Sequence, residues 1–328
     1  MKHPRGFLSV CMNPTLQKTL RFSALIPGEV NRTACHRLDA SGKGINVTRV
    51  LRQLGKGVLH LTGLGGGLRP LFLELCEKDG LDVRWVESGG GIRFCYTLVE
   101  GMGRGNTVVT ELVEEGEQTE AGTEERLLAA YGEVLDSAGT VIISGTKAPG
   151  YSGSLVPEMA RLAREQGCRI ILDVRDSDLR ESLLHSPDVV KPNLFEFTAT
   201  FSDELGISRL PGDKAAAALA CRAFLAGHEE EVKARITALA LTLSADRGTH
   251  IILSRGELPV WHTGDGGFTE YPVEKTAVLN TIGSGDAFTA GLAAALDEGL
   301  PFCQAIPWGI HCGALNAGFL KPGVICSG

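Results

Sequence analysis

Leu279-Asn280-Thr281-Ile282-Gly283-Ser284-Gly285-Asp286-Ala287-Phe288 sets two glycines around a small hydroxyl residue and closes them with an acid. Gly283 and Gly285 let the backbone turn without Cβ hindrance, so successive N–H groups can face one anion. Residues 287–296 are rich in helix formers, which puts those N–H groups at the positive end of a helix dipole. The stretch thus predicts an anion cradle suited to phosphoryl transfer, with Asp286 able to take a proton from an attacking hydroxyl. Taken alone, it equally suits an N-capping Asp after a glycine turn.

Outward from this stretch, short apolar runs alternate with amphipathic segments. Residues 7–12, 58–62, 141–144, 169–173, 189–190, 239–243 and 251–253 read as strands. Helical spacing of Val47, Val50, Leu51 and Leu54 closes at Gly55, and that of Leu71, Phe72, Leu75 and Cys76 ends near Gly80. Leu155, Met159, Leu162 and Ala163 make a further helix that stops at Gly167. Such alternation predicts an α/β fold with a mostly parallel central sheet covered on both faces. Two segments, about 18–38 and 92–112, break the rhythm. They lack helix, and Phe94-Cys95-Tyr96-Thr97-Leu98-Val99 alternates, so they are expected as antiparallel pieces of a small sheet that closes over a ligand. Residues 1–328 are read as a single domain containing these two segments.

Composition narrows the classes. Hydrophobic residues at 43 % and charged residues at 22 % fit a soluble globular chain and argue against extensive disorder. A formal net charge of -7 excludes whole-surface attraction to nucleic acid or an anionic membrane, so an anionic substrate must be held locally. The nine cysteines form no C-x-x-C pair and read as small thiols in a reducing, cytoplasmic setting. The apolar run after the basic start ends at Asn13-Pro14, too short for a signal peptide, and no run reaches membrane-spanning length.

Two other glycine patterns fail their tests. Gly63-Leu64-Gly65-Gly66-Gly67-Leu68 has Leu where a dinucleotide fingerprint needs its third glycine. Ser41-Gly42-Lys43-Gly44 has Arg37 at the first-glycine position of a Walker A loop and Gly44 in place of its Ser or Thr. Ser41-Gly42-Lys43-Gly44-Ile45-Asn46-Val47 still offers a flexible approach to a helix N-terminus, with Lys43 as a point charge and Asn46 as donor and acceptor. In Lys191-Pro192-Asn193-Leu194-Phe195-Glu196, Asn193 and Glu196 share a helical face and could organise waters around a magnesium ion, or form an ordinary cap.

The order and combination of Asn13-Pro14, residues 41–50, Arg93, Thr110-Glu111, Ser144-Gly145-Thr146, Asp173, Lys191-Pro192-Asn193-x-x-Glu196 and Gly283-Ser284-Gly285-Asp286 resembles the ribokinase-like PfkB family of carbohydrate kinases. Within it, the 1-phosphofructokinase and tagatose-6-phosphate kinase branch looks nearest. The resemblance implies a three-layer α/β/α sandwich with a small β-sheet lid, and a cytoplasmic enzyme that moves the γ-phosphoryl of MgATP to a hydroxyl of a sugar phosphate. It implies Asp286 as general base and Gly283, Ser284 and Gly285 as the anion hole. Gln17, Gly42, Lys43, Asn46 and Arg93 match positions that contact the sugar or its phosphate. Lys191, Asn193, Glu196, Thr242, Gly248 and Asn316 match the nucleotide side, with Asn193 and Glu196 helping to place magnesium through water. It also implies small-molecule partners, sugar phosphate and ATP, and a homodimer formed through the lid.

Departures cluster on the acceptor side. Gln17 replaces the family's Asp, Ser41 stands where Gly is common, Thr146-Lys147-Ala148 replaces Ser-Leu-Pro, and Arg175 follows Asp173. Gln brings two donors and no charge where a carboxylate only accepts, so the choice of acceptor is expected to change. On the nucleotide side, Ser244 replaces a glycine and one extra residue precedes Gly248. A kinase of an unphosphorylated sugar or nucleoside, or a non-catalytic binding regulator of the same fold, is the competing expectation.

Overall fold

The structure, a computed structural model, describes residues 6–101, 107–207, 214–265 and 267–326. Its contacts divide into two units, Met1–Ser152 with Glu274–Gly328, and Gly153–Val273. The first unit begins β1 (Gly6–Cys11), β2 (Thr15–Phe22), β3 (His36–Ser41), α1 (Lys43–Gln53), β4 (Val58–Leu64) and α2 (Arg69–Lys78). It continues β5 (Asp82–Glu87), β6 (Arg93–Glu100), β7 (Val108–Val113), α3 (Thr123–Leu135) and β8 (Ala138–Ser144). The second unit starts with α4 (Leu155–Glu165), β9 (Arg169–Asp173), α5 (Asp176–Ser182), β10 (Val189–Val190) and α6 (Leu194–Thr200). It ends with α7 (Lys214–Leu225), α8 (Glu229–Arg247), β11 (His250–Arg255), β12 (Leu258–Gly264) and β13 (Gly267–Tyr271). The chain then returns to the first unit with α9 (Ser284–Asp297) and α10 (Phe302–Ala317).

In the first unit β1 pairs in parallel with β4 and β8, and β4 pairs in parallel with β5. Flanked on both edges and covered on both faces, β1 reads as a continuous apolar run, with Leu8 and Val10 almost fully buried. Helix α1 packs on β1 and on α9, burying the stripe Ile45, Val47, Val50 and Leu51. The second unit has β9, β10 and β11 in parallel, then β12 and β13 antiparallel. The fold is therefore mixed α/β and mostly parallel, with one small separate sheet, as its alternating pattern implied.

That small sheet has the order β3-β2-β6-β7. Its strands overrun the expected segments, starting at Thr15 and returning through Ser41. The outer pairs β2–β3 and β6–β7 are antiparallel, but the central β2–β6 pair is parallel, which corrects the all-antiparallel expectation. The physical reason is the connection: α1, β4, α2 and β5 intervene between β2 and β6, long enough to bring the chain back in the same direction.

A second correction falls on residues 239–243. They lie inside α8, not in a strand. Leu239, Leu241 and Leu243 alternate like a strand, but Val232, Ile236, Ala240 and Ser244 recur every four residues and form the buried stripe that decides the element. No helix among the described residues is long and apolar enough to cross a membrane.

Burial makes the fold acid-sensitive. His60 on β4 is fully enclosed, and burial with the nearby Arg49 charge pushes its imidazole down to about 3. His262 on β12 is pushed down to about 4 by burial and by His250. Unfolded imidazoles take up protons near 6.5, folded ones only at these lower values, so stability is full above 6.5 and is lost as pH falls from there toward 4. The urea unfolding midpoint at pH 5 should lie below that at pH 7.5, and His60→Gln should flatten the difference.

Candidate active site

Helices α1 and α9 each begin on a glycine in a positive-φ conformation, and the site is built where these two helix starts meet. Gly42 precedes α1 with φ 113, and a Cβ there would lie 3.2 Å from Cys11 Sγ and 3.3 Å from Pro14 Cα. Gly283 precedes α9 with φ 87. No side chain caps either helix, so their first-turn N–H groups keep their partial positive charge for something else. Ser284 Oγ, at the start of α9, is buried and has no hydrogen-bond partner among the described residues.

One bond joins the two helix starts. Asn46 Nδ2, in the first turns of α1, donates to Asp286 Oδ2, in the first turn of α9, at 2.8 Å. Both side chains are almost fully buried. Cys11, at the end of β1, lies beneath them. Burial raises its thiol above the ordinary range, backbone bonds at Asn13 and Gly44 oppose this, and both Arg93 and Asp286 act on it by charge. Arg93 and Asp286, far apart in sequence, are thus both within electrostatic range of Cys11. Arg93 Nη1 donates to the Glu114 carbonyl at 2.8 Å, while its buried Nε–H has no acceptor among the described residues. Lys43 opens α1, its stem 3.6 Å from where a Cβ on Gly145 would sit.

Residues two apart on a strand share a face, so Arg93, Cys95 and Thr97 on β6 point the same way as Thr15, Gln17 and Thr19 opposite them on β2. This face is polar and buried. Gln17 Nε2 donates to Thr97 Oγ1 at 2.6 Å, and Gln17 also bonds Glu111, which faces Thr97 from β7. Glu111 is pushed above its ordinary range by surrounding protein, against the pull of Arg93 and the Gln17 bond. Gln17 thus directs its amide at acceptors of the small sheet itself, Thr97 by a hydrogen bond and Glu111 by a bond that lowers its carboxyl.

The nucleotide-side candidates lie mainly in the second unit. Lys191 and Asp173 form a buried ion pair, N to O 3.3 Å, at the ends of β10 and β9. Asn193 caps α6 and its side chain accepts from the Glu196 backbone N–H at 2.8 Å, while Glu196 Oε2 accepts from the Asn193 N–H at 2.9 Å. This reciprocal capping box is the plainer of the two expectations for the motif. Thr242 sits within α8, exposed, its hydroxyl bonding the Ala238 carbonyl at 3.0 Å, and Gly248 is the left-handed C-cap of that helix with φ 64. Residues 242–248, matched above to the nucleotide side, are therefore the end of a helix. The residue that pairs beside Asn193 is Ser254 on β11, followed by the turn at Gly256, φ 66. Sequence reasoning missed it, although the apolar run 251–253 ending in Ser-Arg-Gly carried the signal. Asn316, on α10 in the first unit, is fully buried, and its side chain donates to the Lys321 and Val324 carbonyls and holds the turn there.

Two uncapped, glycine-started helices of an α/β scaffold thus bring Asn46 and the buried carboxylate of Asp286 together. The chain belongs to the pfkB family of carbohydrate kinases, whose model matches residues 9–319. It is 27 % identical over 292 residues to tagatose-6-phosphate kinase of Staphylococcus epidermidis, covering 88 % of this chain and 84 % of that protein. In structure it is similar to phosphofructokinase-2 of Escherichia coli, with TM-score 0.78 at 18 % identity over 96 % of this chain and 93 % of that one. A possible 1-phosphofructokinase of Thermotoga maritima gives TM-score 0.78 at 19 % identity, over 96 % and 92 % of the two chains. The chain is thus a phosphotransferase acting on a carbohydrate hydroxyl.

Proposed function

We propose that this kinase transfers the γ-phosphoryl group of ATP to a hydroxyl of a sugar phosphate. The observation that carries the reading is the Asn46–Asp286 bond at the meeting of two uncapped helix starts. The acceptor oxygen attacks the γ-phosphorus in line, the bond from that phosphorus to the β–γ bridging oxygen breaks, and the hydroxyl proton passes to Asp286. The Gly283-Ser284-Gly285 amides and the α9 dipole stabilise charge on the moving group. Arg93, whose buried Nε–H has no acceptor among the described residues, and Lys43 suit the acceptor's own phosphate.

Lys191, Asn193 and Glu196 are the groups that would face the nucleotide phosphates, with Ser254 in the place first expected of Thr242 and Gly248. Among the described residues no three His, Cys, Asp or Glu side chains cluster to chelate a metal. The donor set suits a magnesium ion carried on the phosphates and reached through water from Asn193 and Glu196. Bound there, magnesium would neutralise phosphate charge. Half-exposed Val108, Leu112 and Val113 on β7 support pairing of two copies through the small sheet.

The test is a panel of sugars and sugar phosphates with purified protein and MgATP, read by ADP release and by phosphorylated product. A phosphorylated hexose should give the highest kcat/KM. Preference for the unphosphorylated sugar would remove the role given to Arg93 and Lys43. Gln17→Asp should cut kcat/KM for the preferred acceptor by about tenfold or more, because a shorter carboxylate loses both donors and faces Glu111. Unchanged preference across the panel would take Gln17 out of acceptor selection.

A further inference from the structure

Asn46 can serve Asp286 only if its amide nitrogen, and not its oxygen, points at the carboxylate. The two ends of an amide are nearly the same size, so something must hold the orientation. Two donors do so. Ser41 Oγ lies 3.1 Å and Arg49 Nη1 3.0 Å from Asn46 Oδ1. A guanidinium has no acceptor, so Arg49 accepts only the orientation that turns Nδ2 toward Asp286.

Arg49 sits one turn after Asn46 on α1 and is 4 % exposed. Three more of its five N–H groups are fastened: Nε to Asp79 Oδ2 at 2.9 Å, Nη1 also to the Pro322 carbonyl at 2.8 Å, and Nη2 to the Ala40 carbonyl at 2.6 Å. Burial alone would raise the Asp79 carboxyl, but Arg49 and Lys321 outweigh it and hold it below the usual range, ionised as Arg49's partner. The fork is thus rigid, and three elements fix it in the plane that meets Asn46.

We infer that Arg49 is a positioning residue for phosphoryl transfer, acting through Asn46 to orient the Asp286 carboxylate toward the acceptor hydroxyl. The inference rests on the role proposed for Asp286. Lysine at this position keeps the charge and reaches one partner at a time, so it keeps the fold's ion pair but releases the amide.

Steady-state kinetics and thermal midpoints on the full chain test this with Arg49→Lys, Arg49→Met, Asn46→Ala, the Arg49→Met/Asn46→Ala double variant, Lys321→Met and Asp286→Ala. Arg49→Lys should lower kcat by about tenfold, with KM for the acceptor within about twofold, as expected of a misaligned reacting group. The double variant should be no slower than the slower of its parents, because both act through one amide. Lys321→Met strips the other side of Asp79 without touching Asn46, and should lower the thermal midpoint while leaving kcat within about twofold. Wild-type kcat in Arg49→Lys, losses that multiply in the double variant, or an equal kcat loss in Lys321→Met would each overturn the inference. If Arg49→Met does not fold, Arg49→Lys and Asn46→Ala carry the comparison alone. Should Asp286→Ala keep its turnover, the base assignment fails. An inactive Asp286→Ala beside a fully active Arg49→Lys sinks the positioning role only.

Discussion

Asp286→Ala is expected to lower kcat by about 10²- to 10⁴-fold, the range of a lost general base, with KM for both substrates changed far less. The side chain is 6 % exposed, and its bond to Asn46 is to an uncharged amide, so at that bond its removal leaves no buried charge behind. The fold should therefore survive, and the loss should sit in the chemical step. Asp286→Asn sharpens the case, since it keeps volume and removes the proton acceptor. Turnover near wild type in both variants would remove Asp286 from the mechanism.

Gly283→Ala should be almost as damaging, for a different reason. The residue holds φ 87, and a Cβ would stand 2.9 Å from Asn316 Oδ1, 2.9 Å from the Gly323 nitrogen and 3.0 Å from Pro322 Cα. Positive φ costs an L-residue about 1–2 kcal/mol by itself. The contacts add to this, because two of the three are backbone and cannot swing aside. The start of α9 must move, and a shift of about 1 Å at reacting groups costs on the order of 10²-fold in rate. Gly299→Ala is the control: φ is 81 there too, but nothing lies within 4 Å of its Cβ. That variant should lose some stability and no activity. Equal kcat losses in both would mean that strain, and not the cradle, is being measured.

Much of this site was legible in the chain because its parts are local. The glycine turns at Gly42 and Gly283, the helices after them, and the acid at Asp286 need only neighbouring residues to define them. The apolar runs of β1, β4 and β8 are likewise short-range signals. Registration was not legible. Nothing near Gln17 announces that Thr97 and Glu111, on other strands of the small sheet, take its amide protons. Nor does α1 alone reveal that Pro322 would meet Arg49. The error at residues 239–243 arose where two periodicities overlap in one run, and only the long stripe from Val232 to Ser244 separates them. Comparing both periods over the whole segment would have found the helix.

The turn at residues 321–323 touches both helices whose starts meet: Pro322 and Gly323 back onto Gly283, and the Pro322 carbonyl also receives Arg49 of α1. During synthesis, strands β1 to β8 leave the ribosome long before that turn exists. These strands therefore have no finished site to offer until that turn has docked. Excising residues 321–323 should abolish turnover while most of the fold persists, as kinetics beside thermal midpoints would show.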